Sequence, residues 1–400
     1  MRRTPGAQLT SRRALALAVV LGLILTAALA AFGWPAIAYR DNDFASLWVM
    51  GRMLLDGGDQ YDYATYVAAH RAIGSRALTI VLPDTASFYP LTTALVFAPF
   101  ALLPIPIAAP LWFASQVVIG SSALVALASR LFPATLRRDL PLLLAFAWSC
   151  QPAWVLAEGG NMGGFLVGIA ASSATFLLAG RPVLAGAVAG LLVVKPHPLF
   201  IALPLVLLAV PRPVAARMLG SALAVAGAIV TVTLVLRPGW IGEMLAQLGR
   251  VSTYAVRVRQ ATLFGLLGAD FVWLAWVVVI AIVAASILWA RTRPPLPLVI
   301  GAAVAVSLLT VPYGFSYDHV LLLVSVTAAI AVVSHAPSGM RAGMLVLLAS
   351  AFIALPWVLY ALAYRRGDES LNALTPLAIL GVLVLAARLT PTRVSGSATS

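Results

Sequence analysis

"FYPLTTALVFAPFALLP", residues 88–104, decides how this chain is threaded. The segment is apolar enough to enter a bilayer, but it is short and carries Pro90, Pro99 and Pro104. On either side, apolar runs of the roughly 17–25 residues needed to cross a bilayer recur through the chain. They fall near 14–33, 107–130, 139–157, 161–179, 183–195, 198–210, 214–236, 268–290, 296–311, 318–334, 341–360 and 371–388. Suppose 88–104 enters and turns back. The N-terminal arginines, Arg130, Arg137, Arg138, Arg181, Arg212, Arg217, Arg291, Arg293, Arg341, Arg388 and Arg393 then share one side, which is the positive-inside pattern. Twelve of the thirteen acidic residues, all but Asp139, go to the other side. If 88–104 crossed, most later loops would swap sides and the bias would largely vanish. The sequence therefore predicts an all-α polytopic membrane protein with about 12 spans, both termini cytoplasmic and 88–104 re-entrant or interfacial.

Composition agrees. The 400 residues are 62% hydrophobic and 10% charged, far from the roughly 25% charged of soluble domains. Backbone polar groups in lipid must be satisfied internally, which favours helices, and the alternating ten-residue pattern of a barrel is absent. The net charge of +13 comes from 25 arginines and one lysine, Lys195. In a soluble protein that would suggest nucleic acid; here it holds cytoplasmic loops in place. The lone Cys150 excludes an internal disulfide, and no Cys/His metal spacing occurs. "SRRALAL", residues 11–17, has the look of an export signal, but further spans follow and it reads as part of an uncleaved first helix. One transmembrane domain is expected over 1–390, with a Ser/Thr-rich, disordered cytoplasmic tail at 391–400.

Two large loops, 34–106 and 237–267, lie on the extracytoplasmic side in this threading. The first opens with "IAYRDNDFASLWVMGRMLLDGGDQYD", residues 37–62, which holds five of the acids. Phe44, Leu47, Trp48, Gly51, Leu54 and Leu55 follow i, i+3, i+4, i+7 spacing, with Arg52 and Asp56 off the stripe. This predicts an amphipathic helix on the membrane surface, ended by Gly57 and Gly58. Asp56, Asp59 and Asp62 read as solvating or capping groups, and His70 and His335 as solvated loop residues.

Four polar clusters reach the same face: Asp41–Asn42–Asp43, "AEGGN" at 157–161, "KPHP" at 195–198 and "PYGFSYDH" at 312–319. Carboxylates, imidazoles and a lone lysine level in depth make a candidate catalytic pocket. Bland readings stand beside this one. Asp43 and Asn161 can be helix caps, Lys195 can snorkel, and His319 can be an interfacial partner of Asp318. "DND" also looks like a metal and nucleotide-sugar motif, but it would face away from the cytoplasm, where nucleotide sugars are found. No span carries a charge at mid-depth and no internal repeat is evident, which disfavours a transporter or flippase of lipid-linked sugars, the alternative function.

Taken in order, Asp43–Phe44 with "GRMLLDGGDQYD", "FYP" with "APFALLP", "GGN" at 159–161, "AGAVAGLLVVKPHPL" and "PYGFSYDHVLLL" resemble glycosyltransferase family 87 of the GT-C superfold. That family includes polyprenol-phosphate-mannose-dependent mannosyltransferases. Two departures are Leu91, where the family usually has proline, and Gly160, where it usually has glutamine. The resemblance implies a helical membrane domain with an outer-face cavity and a metal-independent, cofactor-free, inverting transfer. The sugar, mannose above all, would pass from a polyprenyl-phosphate donor to a lipid or glycan acceptor, at the extracytoplasmic face of the inner membrane. It also implies roles. Asp43 would be the general base, and Lys195 and His319 would offset charge on the departing phosphate. His197, Asn161, Tyr89, Tyr317 and Asp318 would contact sugar or phosphate.

The threading is open to direct test. Cysteines placed after Arg40, Gly160 or Gly314 should react with an impermeant thiol reagent from outside the cell. Labelling from the cytoplasm at any of the three would separate the clusters and dissolve the shared site.

Overall fold

In the computed structural model, residues 42–75, 85–257, 260–334 and 336–389 are described, and every regular element among them is helical. The expected first span, the tail at 391–400, Asp41 and His335 lie outside these residues. The described residues begin with three short helices, α1 (Asp43–Asp56), α2 (Tyr63–Ala72) and α3 (Leu91–Ala101), before the long α4 (Ile105–Leu131). Next come α5 (Leu136–Ser149) and α6 (Gln151–Gly159), separated by the extended backbone of Cys150, then α7 (Gly163–Leu178), α8 (Pro182–Gly190) and α9 (Ala202–Ala209). The rest comprises α10 (Arg212–Leu236), α11 (Trp240–Arg257), α12 (Leu263–Leu267), α13 (Val272–Arg291), α14 (Leu296–Thr310), α15 (Leu322–Val333), α16 (Ser338–Ala349), α17 (Leu355–Arg366) and α18 (Leu374–Leu389).

Six stretches among the described residues are long and apolar enough to cross a membrane: Ile105–Leu131, Arg212–Leu236, Ala269–Arg291, Ser316–Val333, Ser338–Arg366 and Ser370–Leu389. Gly163–Leu178, Pro182–Val194, His197–Ala209 and Leu296–Thr310 are shorter apolar helices, each within a few residues of an expected span. α3 has 11 residues, about 16 Å at 1.5 Å per residue, against a hydrocarbon layer of roughly 30 Å. Alone it is too short to cross.

α8 and α9 double back on each other. Ala185 near the start of α8 and Val210 just after α9 share one apolar cluster with Met218 of α10. Their common tip is therefore the tight turn around Lys195 and Pro196, flanked by single 3₁₀ turns at Leu191–Val194 and His197–Leu199. Glycine allows α8 to lie this close to α10: a Cβ on Gly186 would fall 1.9 Å from the Met218 carbonyl oxygen. Small residues at helix crossings are the usual device for backbone contact in membranes.

α1 is more enclosed than a surface helix. Leu55 of the predicted stripe is 44% exposed, whereas Ala45, Val49 and Met50, outside it, are buried. The reason is that α1 packs against α3, α2 and the start of α4 in one apolar cluster. Gly57, with φ 71°, ends it as expected, and its N–H bonds the Met53 carbonyl. His70 corrects its sequence reading as a solvated loop residue. It lies on the inner face of α2 at 1% exposure, edge-on to Tyr66 with ring centroids 4.8 Å apart.

Gly51 is where α1 and α3 meet, and a Cβ there would come within 2.6 Å of the Phe97 carbonyl carbon. Because backbone cannot rotate aside as a side chain can, Gly51→Ala should cost about 1–3 kcal/mol, the usual penalty of overpacking. The measurement is the thermal unfolding midpoint in detergent, and an unchanged midpoint would rule out so close a crossing.

Candidate active site

The expected polar clusters converge at helix tips. Asp43 is the first residue of α1, but it does not cap that helix. Asn42 does: its Oδ1 accepts from the Ala45 N–H at 3.3 Å, while its Nδ2 donates to the Glu158 carbonyl at 3.0 Å. The start of α1 is thereby tied to the end of α6, and the Asp43 carboxylate is left for other partners. Its Oδ2 accepts from Asn161 Nδ2 at 2.9 Å, and the Tyr317 hydroxyl is a further partner.

Asn161 is held by the turn between α6 and α7. Gly160 ends α6 in the left-handed region at φ 70°, where a Cβ would also meet the Phe44 Cβ at 2.5 Å. The Gly160 carbonyl accepts the Trp112 indole N–H at 2.9 Å. Asn161 is not the cap of α7, whose N-cap position is Met162 without a side-chain bond. Its amide instead joins two charges. Nδ2 donates to Asp43 and, at 3.4 Å, to the Tyr89 hydroxyl, while Oδ1 accepts from the Met162 N–H at 2.6 Å and from Lys195 Nζ at 2.7 Å.

Lys195 is 1% exposed, so snorkelling is excluded. The hydroxyls of Thr92 and Thr93 at the start of α3 donate to the Val193 and Val194 carbonyls at 2.9 and 2.5 Å, fixing the two residues before it. Nζ forms an ion pair with Asp318 Oδ1 at 2.7 Å and lies 5.0 Å from the Tyr317 ring centroid, a cation–π distance. Tyr317, Asp318 and His319 stand on the 3₁₀ turn Ser316–Leu321 that leads into α15. The half-buried Glu369 steadies this turn, its Oε2 accepting the Ser316 N–H at 2.8 Å.

Burial raises Asp43 above the ordinary carboxylate range. The Asn161 hydrogen bond and the Lys195 charge oppose this, and the Asp318 charge adds to it. The result is a carboxylate more basic than a free one, the direction that suits proton abstraction near neutral pH. Burial also pushes the Tyr89 hydroxyl well above its usual range, so it stays a neutral donor. Its backbone carbonyl is pinned by the Tyr61 hydroxyl at 2.9 Å and Gln60 Nε2 at 3.2 Å.

A cavity of about 530 Å³ adjoins this cluster. Tyr89, Lys195, His197 and Tyr313 line its polar part, and Met244, Phe264 and Trp276 are among its apolar walls. The two histidines separate here. His197 faces the cavity, with its buried Nε2 lacking a hydrogen-bond partner. His319 turns the other way, its Nε2 3.1 Å from the Ala261 carbonyl oxygen, and joins neither the cluster nor the cavity wall. Asp43, Asn161, Lys195, Tyr317 and Asp318 are thus brought together, with Tyr89 and His197 at the rim. Tyr313, 5.9 Å ring to ring from His197, and Glu369 were missed from the sequence. The "PYGFSYDH" cluster offered Tyr313, but nothing marked Glu369 out from its neighbour Asp368.

The model of glycosyltransferase family 87 matches residues 88–312, more than half of the 400. No curated protein and no solved structure matches the chain. The matched segment contains Tyr89, Asn161, Lys195 and His197, while Asp43, Tyr317, Asp318 and His319 lie outside it.

The buried ion pair makes a stability prediction. Lys195→Ala alone leaves Asp318 charged and unpaired in the interior, which should cost about 3–5 kcal/mol. The double variant Lys195→Ala/Asp318→Ala removes both charges and should unfold at a higher temperature than the single one. A lower midpoint for the double variant would mean that the two residues stabilise the fold independently.

Proposed function

Because the chain belongs to glycosyltransferase family 87, we propose that it moves a sugar, mannose foremost, from a polyprenyl phosphate to a hydroxyl of a lipid or glycan acceptor. In this reading the fold is of the GT-C type with about 12 spans. The reaction takes place at the extracytoplasmic face of the inner membrane, without a metal and with inversion. The observation that carries the reading is the chain of contacts Asp43–Asn161–Lys195–Asp318 beside a cavity with a polar end and apolar walls. Such a cavity suits a ligand that is part phosphate-sugar and part hydrocarbon.

The chemistry follows from the placement of the groups. Asp43 takes the proton of the acceptor hydroxyl as its oxygen attacks the anomeric carbon. The bond from that carbon to the phosphate oxygen breaks, and the polyprenyl phosphate departs with the electron pair. Donors aimed at a charge that develops only in the transition state lower the barrier. Lys195 and His197 have the cavity position for that task, and the unpartnered His197 Nε2 can donate in the tautomer that carries its proton there. Asn161, Tyr89, Tyr317 and Asp318 hold the base and the cation in register. His319 is assigned to positioning the loop at Ala261, since its ring nitrogen is engaged there.

The test is to incubate purified protein with synthetic polyprenyl-phosphate sugars and an acceptor lipid, and to follow release of polyprenyl phosphate. Release with wild-type protein is expected. Vectorial movement of intact donor without release would establish the flippase instead. Asn can replace Asp in size but cannot take a proton, so Asp43→Asn should lose at least about 100-fold in turnover, with Asp41→Asn much milder. The acid limb of kcat/KM should fall as pH drops through the Asp43 pKa, and that limb should lie above the roughly 3.9 of a free aspartate. Normal turnover in Asp43→Asn would remove the general base from the mechanism.

A further inference from the structure

A second cavity, of about 380 Å³, lies at the other end of the bundle, within the roughly 300–1,000 Å³ of sites that hold small molecules. Its wall on α14 runs from Leu298 to Val306, whereas the far end of α14, Thr310, leads towards the turn of Tyr317 and Asp318. The two cavities share no lining residue, so this one is separate from the candidate active site. Its other walls come mainly from the last turns of α13 and α18. Apart from Ser286 and Arg388, every lining residue is aliphatic or aromatic.

Arginines stand at the ends of the helices that line it. Arg388 lines the cavity from the last turn of α18 and is exposed. Arg291 follows the lining residue Ala290, and Arg293 stands in the short turn to α14; both are exposed. Among the described residues, none of the three is in an ion pair. Arg293 has a second peculiarity. It adopts φ 55°, the only left-handed residue other than glycine among those described. That conformation costs a side chain about 1–2 kcal/mol, and Pro294 further favours extended backbone at its predecessor. The Arg293 N–H closes the turn on the Ala290 carbonyl at 3.1 Å. Glycine would relieve the strain, yet a guanidinium stands there.

A hydrocarbon-lined hole with Arg388 in its wall, and with the exposed, unpaired Arg291 and Arg293 next in sequence to its lining helices, matches a ligand with an apolar chain and an anionic head. Arginine binds phosphate through paired N–H donors, and basic pockets between membrane helices suit anionic lipid heads. The absence of a carboxylate partner disfavours a zwitterionic head, whose ammonium would go unanswered. We propose that this cavity seats an acyl chain of an anionic phospholipid, with its phosphate held by Arg388, Arg291 and Arg293.

The experiment uses the full chain in detergent, offered dioleoyl phosphatidylglycerol or dioleoyl phosphatidylcholine, with retained lipid counted by native mass spectrometry. Phosphatidylglycerol should be retained at least tenfold better. Arg388→Gln with Arg291→Gln should abolish that preference, and Ala302→Leu, which fills the cavity, should lower retention of both lipids. Arg293→Gly should weaken phosphatidylglycerol binding without lowering the unfolding midpoint. Equal retention of the two lipids would overturn the proposal, as would a preference unmoved by the arginine variants. Displacement of phosphatidylglycerol by an equimolar prenyl phosphate would give the cavity to that lipid instead.

Discussion

An ammonium group has been taken out of water at Lys195, and the arrangement around it follows from the need to answer that charge. Moving such an ion into a low-dielectric interior costs several kcal/mol unless close partners compensate. Asp318 supplies the counter-charge, Asn161 a carbonyl oxygen and Tyr317 a ring face. These partners come from the α6–α7 turn and from the 3₁₀ turn before α15, while Lys195 comes from the tip of the α8–α9 pair. Segments more than a hundred residues apart in sequence must therefore converge. The threonine hydroxyls of α3 draw in one more element, and Asn42 ties α1 to the end of α6. The site is a by-product of neutralising one cation.

Asn161 gives this assembly its chemical character. Its neutral amide is interposed between Asp43 and Lys195, with the N–H end towards the carboxylate and the oxygen end towards the ammonium. A direct ion pair would pull Asp43 down and make it a poor proton acceptor. With the amide between them, burial prevails and Asp43 is raised. Aspartate at 161 would compete for Lys195 and add a third carboxylate, which is why an amide of the same size belongs there.

The helices were legible because hydrocarbon thickness imposes a length on them. Most expected spans have a helix within a few residues of their predicted bounds. Two amphipathic helices in the loops were not seen. α2 announces itself only by the Asp62 cap, whose Oδ2 accepts from the Thr65 N–H at 2.8 Å, and by Tyr66, Val67 and His70 on one face. α11 buries Trp240 and Gln247, seven residues apart, and the glutamine amide bonds the Tyr61 carbonyl. Its apolar stripe is too thin for a span and long enough for a helix. The site was legible as a set of residues, not as a set of directions. Neighbours on a 3₁₀ turn point about 120° apart, so Asp318 reaches Lys195 while His319 reaches Ala261. Likewise, capping preferences alone do not say which of Asn42 and Asp43 is the cap; the difference of one residue separates a capping side chain from one left free to bond Asn161.

Burial of the sole lysine also governs what the outside of this protein presents. Every basic side chain left to meet solvent or lipid head groups is arginine or histidine, and a guanidinium keeps its proton throughout the biological range. The formal excess of +13 is then nearly indifferent to acidity above the carboxylate range. Adhesion to an anionic membrane surface responds to ionic strength and lipid composition, with little response to pH. Amine-directed acylation, whether by a reagent or an enzyme, meets no lysine at the surface of the folded chain.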